Sequence, residues 1–134
     1  MAQPWQPERV VDPELARRLI RGQMRDVSAD DVALLGEGWD NTVYRVGRDW
    51  VFRFPRRQVG ADLLGTEWAV LPRIAGRLPV PISAPLRLGE PTPEFPWHFA
   101  QYPYLPGVSA CRAGLGEEER CALAELLGEF VAAL

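Results

Sequence analysis

The stretch GEGWDNTVYRV, residues 36–46, sets two glycines, a tryptophan and an Asp-Asn pair between two runs of strand-forming residues. Two kinds of chemistry fit it. Gly, Asp and Asn tolerate left-handed backbone angles, so the segment suits the plain turn of a β-hairpin. The same residues could instead lay backbone N–H groups over phosphate oxygens. Two charged residues downstream bear on the choice. Arg53 shares one face of the WVFRF run with Val51, while Trp50, Phe52 and Phe54 take the other. Glu67 falls on the apolar side of a helical pattern, one turn after Leu63 and one before Leu71, where a carboxylate must be paired or solvated. A sheet with that helix beside it could bring arginine and glutamate together. A structural ion pair, or two residues that never meet, is the plainer alternative.

Other reactive side chains are few. His98 is the one histidine and lies in an apolar, aromatic run, which reads as a packed strand residue; no nucleophile motif accompanies it. Cys111 and Cys121 stand ten apart without a second pair, so neither a zinc site nor a disulfide framework is indicated, and buried or half-buried free thiols are expected.

The elements that must position these residues follow from periodicity and punctuation. Asp12-Pro13 reads as a helix cap and first turn, leading into Leu15, Leu19 and Ile20 and ending near Gly22, after a loosely held start over residues 1–11. Val32–Leu35, Thr42–Val46 and Trp50–Phe54 read as strands of an antiparallel meander, the last two joined by a tight turn at Gly47-Arg48-Asp49. Over 60–76, Leu63, Leu64, Glu67, Trp68, Leu71, Ile74 and Ala75 share a helical face, with Pro72 expected to kink the helix or start a new turn. Leu86–Gly89 and Trp97–Tyr102 read as two more strands. Glu117–Leu134 reads as a helix lined by Leu123, Leu126, Leu127, Phe130, Val131 and Leu134, with three glutamates at its start. That stripe needs a partner surface, so more protein is expected to follow.

With 134 residues, 47% hydrophobic and 25% charged, the chain has room for one modest soluble domain. A net charge of -3 gives no support to a nucleic-acid surface. No apolar run is long enough for a bilayer and no signal peptide opens the chain, so no membrane and a cytoplasmic location are expected.

Taken in order, GEGWDN, VFRF, the helix bearing Glu67 and AQYPYLPG resemble the aminoglycoside phosphotransferase family, whose fold is similar to that of protein kinases. The resemblance covers roughly residues 30–134. It implies an α+β fold: a protein-kinase-like N-terminal lobe, with a five-stranded antiparallel sheet and one packed helix, then a hinge and the first helix of an incomplete C-terminal lobe. The implied divisions are an N-terminal extension at 1–29, the nucleotide-binding lobe at 30–103, the hinge at 104–116 and the C-lobe helix at 117–134. By the same resemblance Gly36, Gly38, Trp39, Asp40 and Asn41 form the phosphate loop, with Asn41 where kinases carry a third glycine. Val43 and Val51 would cover the purine. Arg53, where kinases carry lysine, would hold the α- and β-phosphates, oriented by Glu67. Tyr102 would be the gatekeeper, and the Pro103 carbonyl and Leu105 N–H would meet the base. The cofactor implied is ATP or GTP with Mg²⁺, and the reaction is phosphoryl transfer to a small-molecule hydroxyl. The catalytic aspartate and the metal ligands belong to the second lobe. Asp40 and Asp62 lack their setting, so no catalytic residue and no metal ligand is assigned here, and the chain alone is expected to be inactive. The alternative is a noncatalytic, pseudokinase-like module that binds a partner through the last helix; separately, the chain by itself is expected to self-associate through that helix.

Overall fold

The computed structural model describes residue 3 and residues 5–134. The α-helices and β-strands among the described residues are α1 (Pro13–Gln23), β1 (Val32–Glu37), β2 (Asn41–Val46), β3 (Trp50–Pro55), α2 (Gln58–Ile74), β4 (Arg87–Gly89), β5 (Phe99–Pro103) and α3 (Glu117–Ala133). The five strands form one antiparallel sheet in the order β1-β2-β3-β5-β4. Among the described residues no helix is long and apolar enough to cross a membrane.

Alternation along β3 divides the molecule. Phe52 and Phe54 are fully buried on one face of the sheet, beneath α1, with Tyr44, Val46, Phe95 and Phe99. Phe54 stacks on Phe99 with centroids 5.0 Å apart and meets Phe95 edge-on at 5.9 Å. Asp12 caps α1 as expected, its carboxylate accepting from the Leu15 N–H at 2.7 Å, and Ala16, Leu19 and Ile20 seal the layer. The other face carries Val51, Ala100 and Tyr102, on which Leu64 of α2 packs.

Several expectations need correction. The loose start does not extend to residues 8, 9 and 11: Val11 is buried, its carbonyl accepts from the Tyr44 hydroxyl at 2.7 Å, and Glu8 and Arg9 donate their N–H groups to the Arg56 carbonyl. Residues 1, 2 and 4, on which part of that expectation falls, lie outside the described residues. On α2 only Gly60 and Leu64 are buried, and Leu63 and Trp68 stand exposed, because helical spacing tells which residues share a face but not whether anything covers it. Pro72 stays inside α2, which tightens into a 3₁₀ turn only at Ala75–Arg77. The fifth strand begins at Phe99, so His98 lies just before it and is exposed, its Nδ1 3.0 Å from the Gly89 carbonyl oxygen. Both cysteines are exposed. No residue of α3 is buried.

Candidate functional site

Between the glycine-rich turn, the sheet and the segment after β5 lies an open cavity of about 530 Å³. Gly38, Trp39, Asp40 and Asn41 line its mouth; Val43, Val51 and Arg53 form its floor; Pro103 and Leu105 close one end. Strand register explains the floor. Val43 pairs with Arg53 across β2 and β3, and Val51 stands two residues back on the same face. Glu67 and Tyr102 line a smaller cavity of about 180 Å³ that shares Asp40, Asn41 and Arg53 with the first. Gly36 lines neither and pairs with Val43, where β1 carries a bulge.

Arg53 and Glu67 come together across the sheet and α2. Arg53 Nη1 lies 3.5 Å from Glu67 Oε2, and Nη2 reaches the Ser83 hydroxyl at 3.3 Å. Its guanidinium sits over the Tyr102 ring, 4.4 Å from the centroid. The Tyr102 hydroxyl donates to the same Glu67 oxygen at 3.0 Å. Burial, then the Glu67 carboxylate, push the Tyr102 phenol well above its ordinary range, so it stays a donor. Both contacts of the guanidinium are long for charge-assisted bonds. Arg53 is therefore aimed but not saturated, and keeps donors for an anion in the cavity.

Tyr102 does not border the larger cavity; it stands behind it, against α2. The carboxylate of Asp40 is turned to Arg57, with which it forms an ion pair. The turn also departs from the reason given for its composition. Neither Gly36 nor Gly38 has positive φ, and among the described residues no other residue type does. Asn41 opens β2 in ordinary strand geometry opposite Pro55. A Cβ on Gly36 would meet nothing within 4 Å, and one on Gly38 would first meet the Asn41 carbonyl oxygen at 4.0 Å.

Three lining residues escaped the sequence. Leu35 is the bulged residue of β1, Tyr104 follows the last strand, and Ser83 lies in the proline-rich connection between α2 and β4. As the single hydroxyl in LPVPISAP, Ser83 carried a faint signal, but nothing periodic placed that connection against Arg53. Among the described residues no three His, Cys, Asp or Glu side chains come together to hold a metal ion.

A model described as the phosphotransferase enzyme family matches residues 31–134. The GDP and kanamycin complex of APH(2")-IIIa is 34% identical, superposes with a TM-score of 0.80, and matches over 89% of this chain and 40% of that one. The GDP complex of wild-type aminoglycoside 2'-phosphotransferase-IIIa is 31% identical with a TM-score of 0.84, over 92% and 42% respectively. The gentamicin complex of APH(2")-IIa, at 20% identity and a TM-score of 0.65, shares the fold. Among curated proteins none matches. The chain spans about two fifths of the length of these solved structures.

Proposed function

The chain belongs to the phosphotransferase enzyme family, and we propose that it supplies the nucleotide grip of a kinase that moves the γ-phosphoryl group of GTP or ATP to a hydroxyl of a small molecule. One observation carries the reading: Arg53, held between Glu67 and Ser83 and backed by the Tyr102 ring, on the floor of a cavity roofed by a glycine-rich turn. An arginine there suits phosphate oxygens, since its planar fork gives two parallel bonds. Val43 and Val51 offer an apolar bed for a purine, with the Pro103 carbonyl and the Leu105 N–H at its edge. GTP is the first nucleotide to try, because the two neighbours named above at 34% and 31% identity are GDP complexes; an aminoglycoside is the first acceptor, because one of them also holds kanamycin. Mg²⁺ accompanies such nucleotides, but the side chains described here form no ligand set for it, so no step is assigned through it. Orientation and charge are what this segment contributes, the larger part of catalysis in phosphoryl transfer. The reading also implies a cytoplasmic protein, where GTP and ATP are at hand.

The exposed apolar side chains of α3, Leu127 and Val131 among them, favour a second reading in which the chain is a noncatalytic module and this helix binds a partner. Equilibrium titration with GTP and ATP separates the two. The nucleotide reading expects saturable binding that weakens about tenfold or more in Arg53→Ala, with the melting curve retained. Absence of binding, or binding indifferent to Arg53, would refute it.

A further inference from the structure

The corner between β3 and α2 carries two adjacent arginines, and both reach back to the glycine-rich turn. Arg56 donates through Nη1 to the Gly38 carbonyl at 2.6 Å and pairs through Nη2 with Glu37 Oε1 at 2.6 Å. Its backbone N–H donates to the Asp40 carbonyl at 2.8 Å. Arg57 pairs with the Asp40 carboxylate. The two arginine side chains are only 15% and 19% exposed, though their partners Glu37 and Asp40 are 43% and 34% exposed, so these pairs are partly shielded from solvent. Gly60, one turn into α2, lets the helix touch the turn: a Cβ there would sit 2.6 Å from the Asp40 carbonyl oxygen.

The corner is itself anchored. The Arg56 carbonyl accepts from the N–H groups of Glu8 and Arg9 at 2.9 and 3.1 Å. The Glu8 carboxylate accepts from the Gln58 N–H at 3.2 Å, a donor at the start of α2 for which the helix's own N-cap residue, Arg57, makes no side-chain cap. Residues 8 and 9 thus brace the corner, and the corner grips residues 37–40.

We infer that Arg56 and Arg57 are positioning residues for the nucleotide. They hold the glycine-rich turn in its receiving shape before any ligand arrives. Arg57 also neutralises Asp40, a carboxylate that lines the cavity and would otherwise repel a triphosphate. The inference rests on the nucleotide reading above. A turn already ordered avoids the entropic loss of ordering upon binding, so affinity depends on the latch although neither arginine lines the cavity.

Two measurements on the purified chain decide it: amide hydrogen exchange over residues 36–41 without nucleotide, and equilibrium titration with GTP. Arg57→Ala is expected to speed exchange in the turn and weaken GTP about tenfold. Arg57→Lys should restore most of both. Adding Asp40→Asn to Arg57→Ala should recover about threefold in affinity while the turn stays loose, because the unpaired charge has gone; a purely structural arginine would show no such recovery. Should Arg57→Ala fail to fold, Asp40→Asn alone must still loosen the turn. Unchanged exchange in these variants would overturn the latch. A wild-type chain that binds GTP, with Arg57→Ala binding equally well, would overturn the positioning role alone. A wild-type chain that binds no nucleotide would overturn the nucleotide reading and the positioning role together.

Discussion

Replacing Gly60 by alanine tests how closely α2 approaches the glycine-rich turn. The added Cβ would lie 2.6 Å from the Asp40 carbonyl oxygen and 3.3 Å from Asp40 Cβ. An ordinary carbon–oxygen contact is about 3.3 Å, so helix and turn must part by about 0.7 Å. The obstructing atom is backbone, and it already accepts from the Arg56 N–H, so it has no easy direction in which to yield. Overpacking of this kind destabilises by about 1–3 kcal/mol. Alanine returns at most about 1 kcal/mol of helix propensity, less near a helix start. The net loss is about 1–2 kcal/mol, and for a chain of this length the melting temperature should fall by about 3–8 °C. Gly65→Ala is the matched control. It lies on the same helix, its Cβ would meet nothing within 4 Å, and it should be neutral or stabilising by up to about 1 kcal/mol. Thermal melting followed by circular dichroism reads both. If Gly60→Ala melts at or above the wild type, as Gly65→Ala should, the close approach is not real and the contact between corner and turn loses its support.

Tyr102→Phe removes the 3.0 Å hydrogen bond to Glu67 and keeps the ring under Arg53; urea unfolding should show a loss of about 1 kcal/mol, and no loss would mean the hydroxyl is idle. Tyrosine absorbance at 295 nm should reveal Tyr44 and Tyr102 ionising above the ordinary range, both held back chiefly by burial. Because these folded-state phenols keep protons that the unfolded chain releases near pH 10, stability should be level below that value and fall as pH rises above it, and a stability that climbs there would contradict the burial of both rings. Sedimentation at rising concentration should show self-association, weakened in Leu127→Glu, through the face of α3 that bears Leu123, Leu127, Phe130 and Leu134; a monomer throughout would exclude it.

What could be read from the chain followed the strength of its local periods. The alternation in WVFRF placed Phe52 and Phe54 on one side and Val51 and Arg53 on the other, and the sheet keeps that division. Glu67 was legible because a carboxylate on an apolar helical face demands partners, and Arg53 and the Tyr102 hydroxyl are those partners. Ser83 was not legible: its connection has prolines but no period, and its contact with Arg53 exists only once the chain has folded back. Arg56 and Arg57 were missed for a different reason. Two charges directly after a strand look solvated, and only the corner turns them toward Glu37 and Asp40. The exposure of Leu63, Trp68 and the α3 stripe shows the complementary limit, since periodicity marks a face and is silent about its cover.

The glycines of the turn point the same way as the arginines. Gly47, in the β2–β3 hairpin, has a φ of 61°, and glycine there answers to the backbone. Gly60 answers to a neighbouring carbonyl. Gly36 and Gly38 answer to neither, since their φ is not positive and a Cβ on either would stand in open space or at an ordinary distance. Among the described residues nothing excludes a methyl group at these two positions, so if glycine is required there, the requirement comes from something that enters the cavity and approaches the backbone. Gly36→Ala and Gly38→Ala should therefore leave stability unchanged or raise it by about 0.4–1 kcal/mol, through the reduced freedom of the unfolded chain. In the same proteins GTP affinity should drop, most at Gly38, which lines the cavity mouth. Melting and titration on one preparation give both numbers. Loss of stability would mean the backbone is less ordinary than it stands here, and full retention of affinity in both variants would place the phosphates somewhere other than beneath this turn.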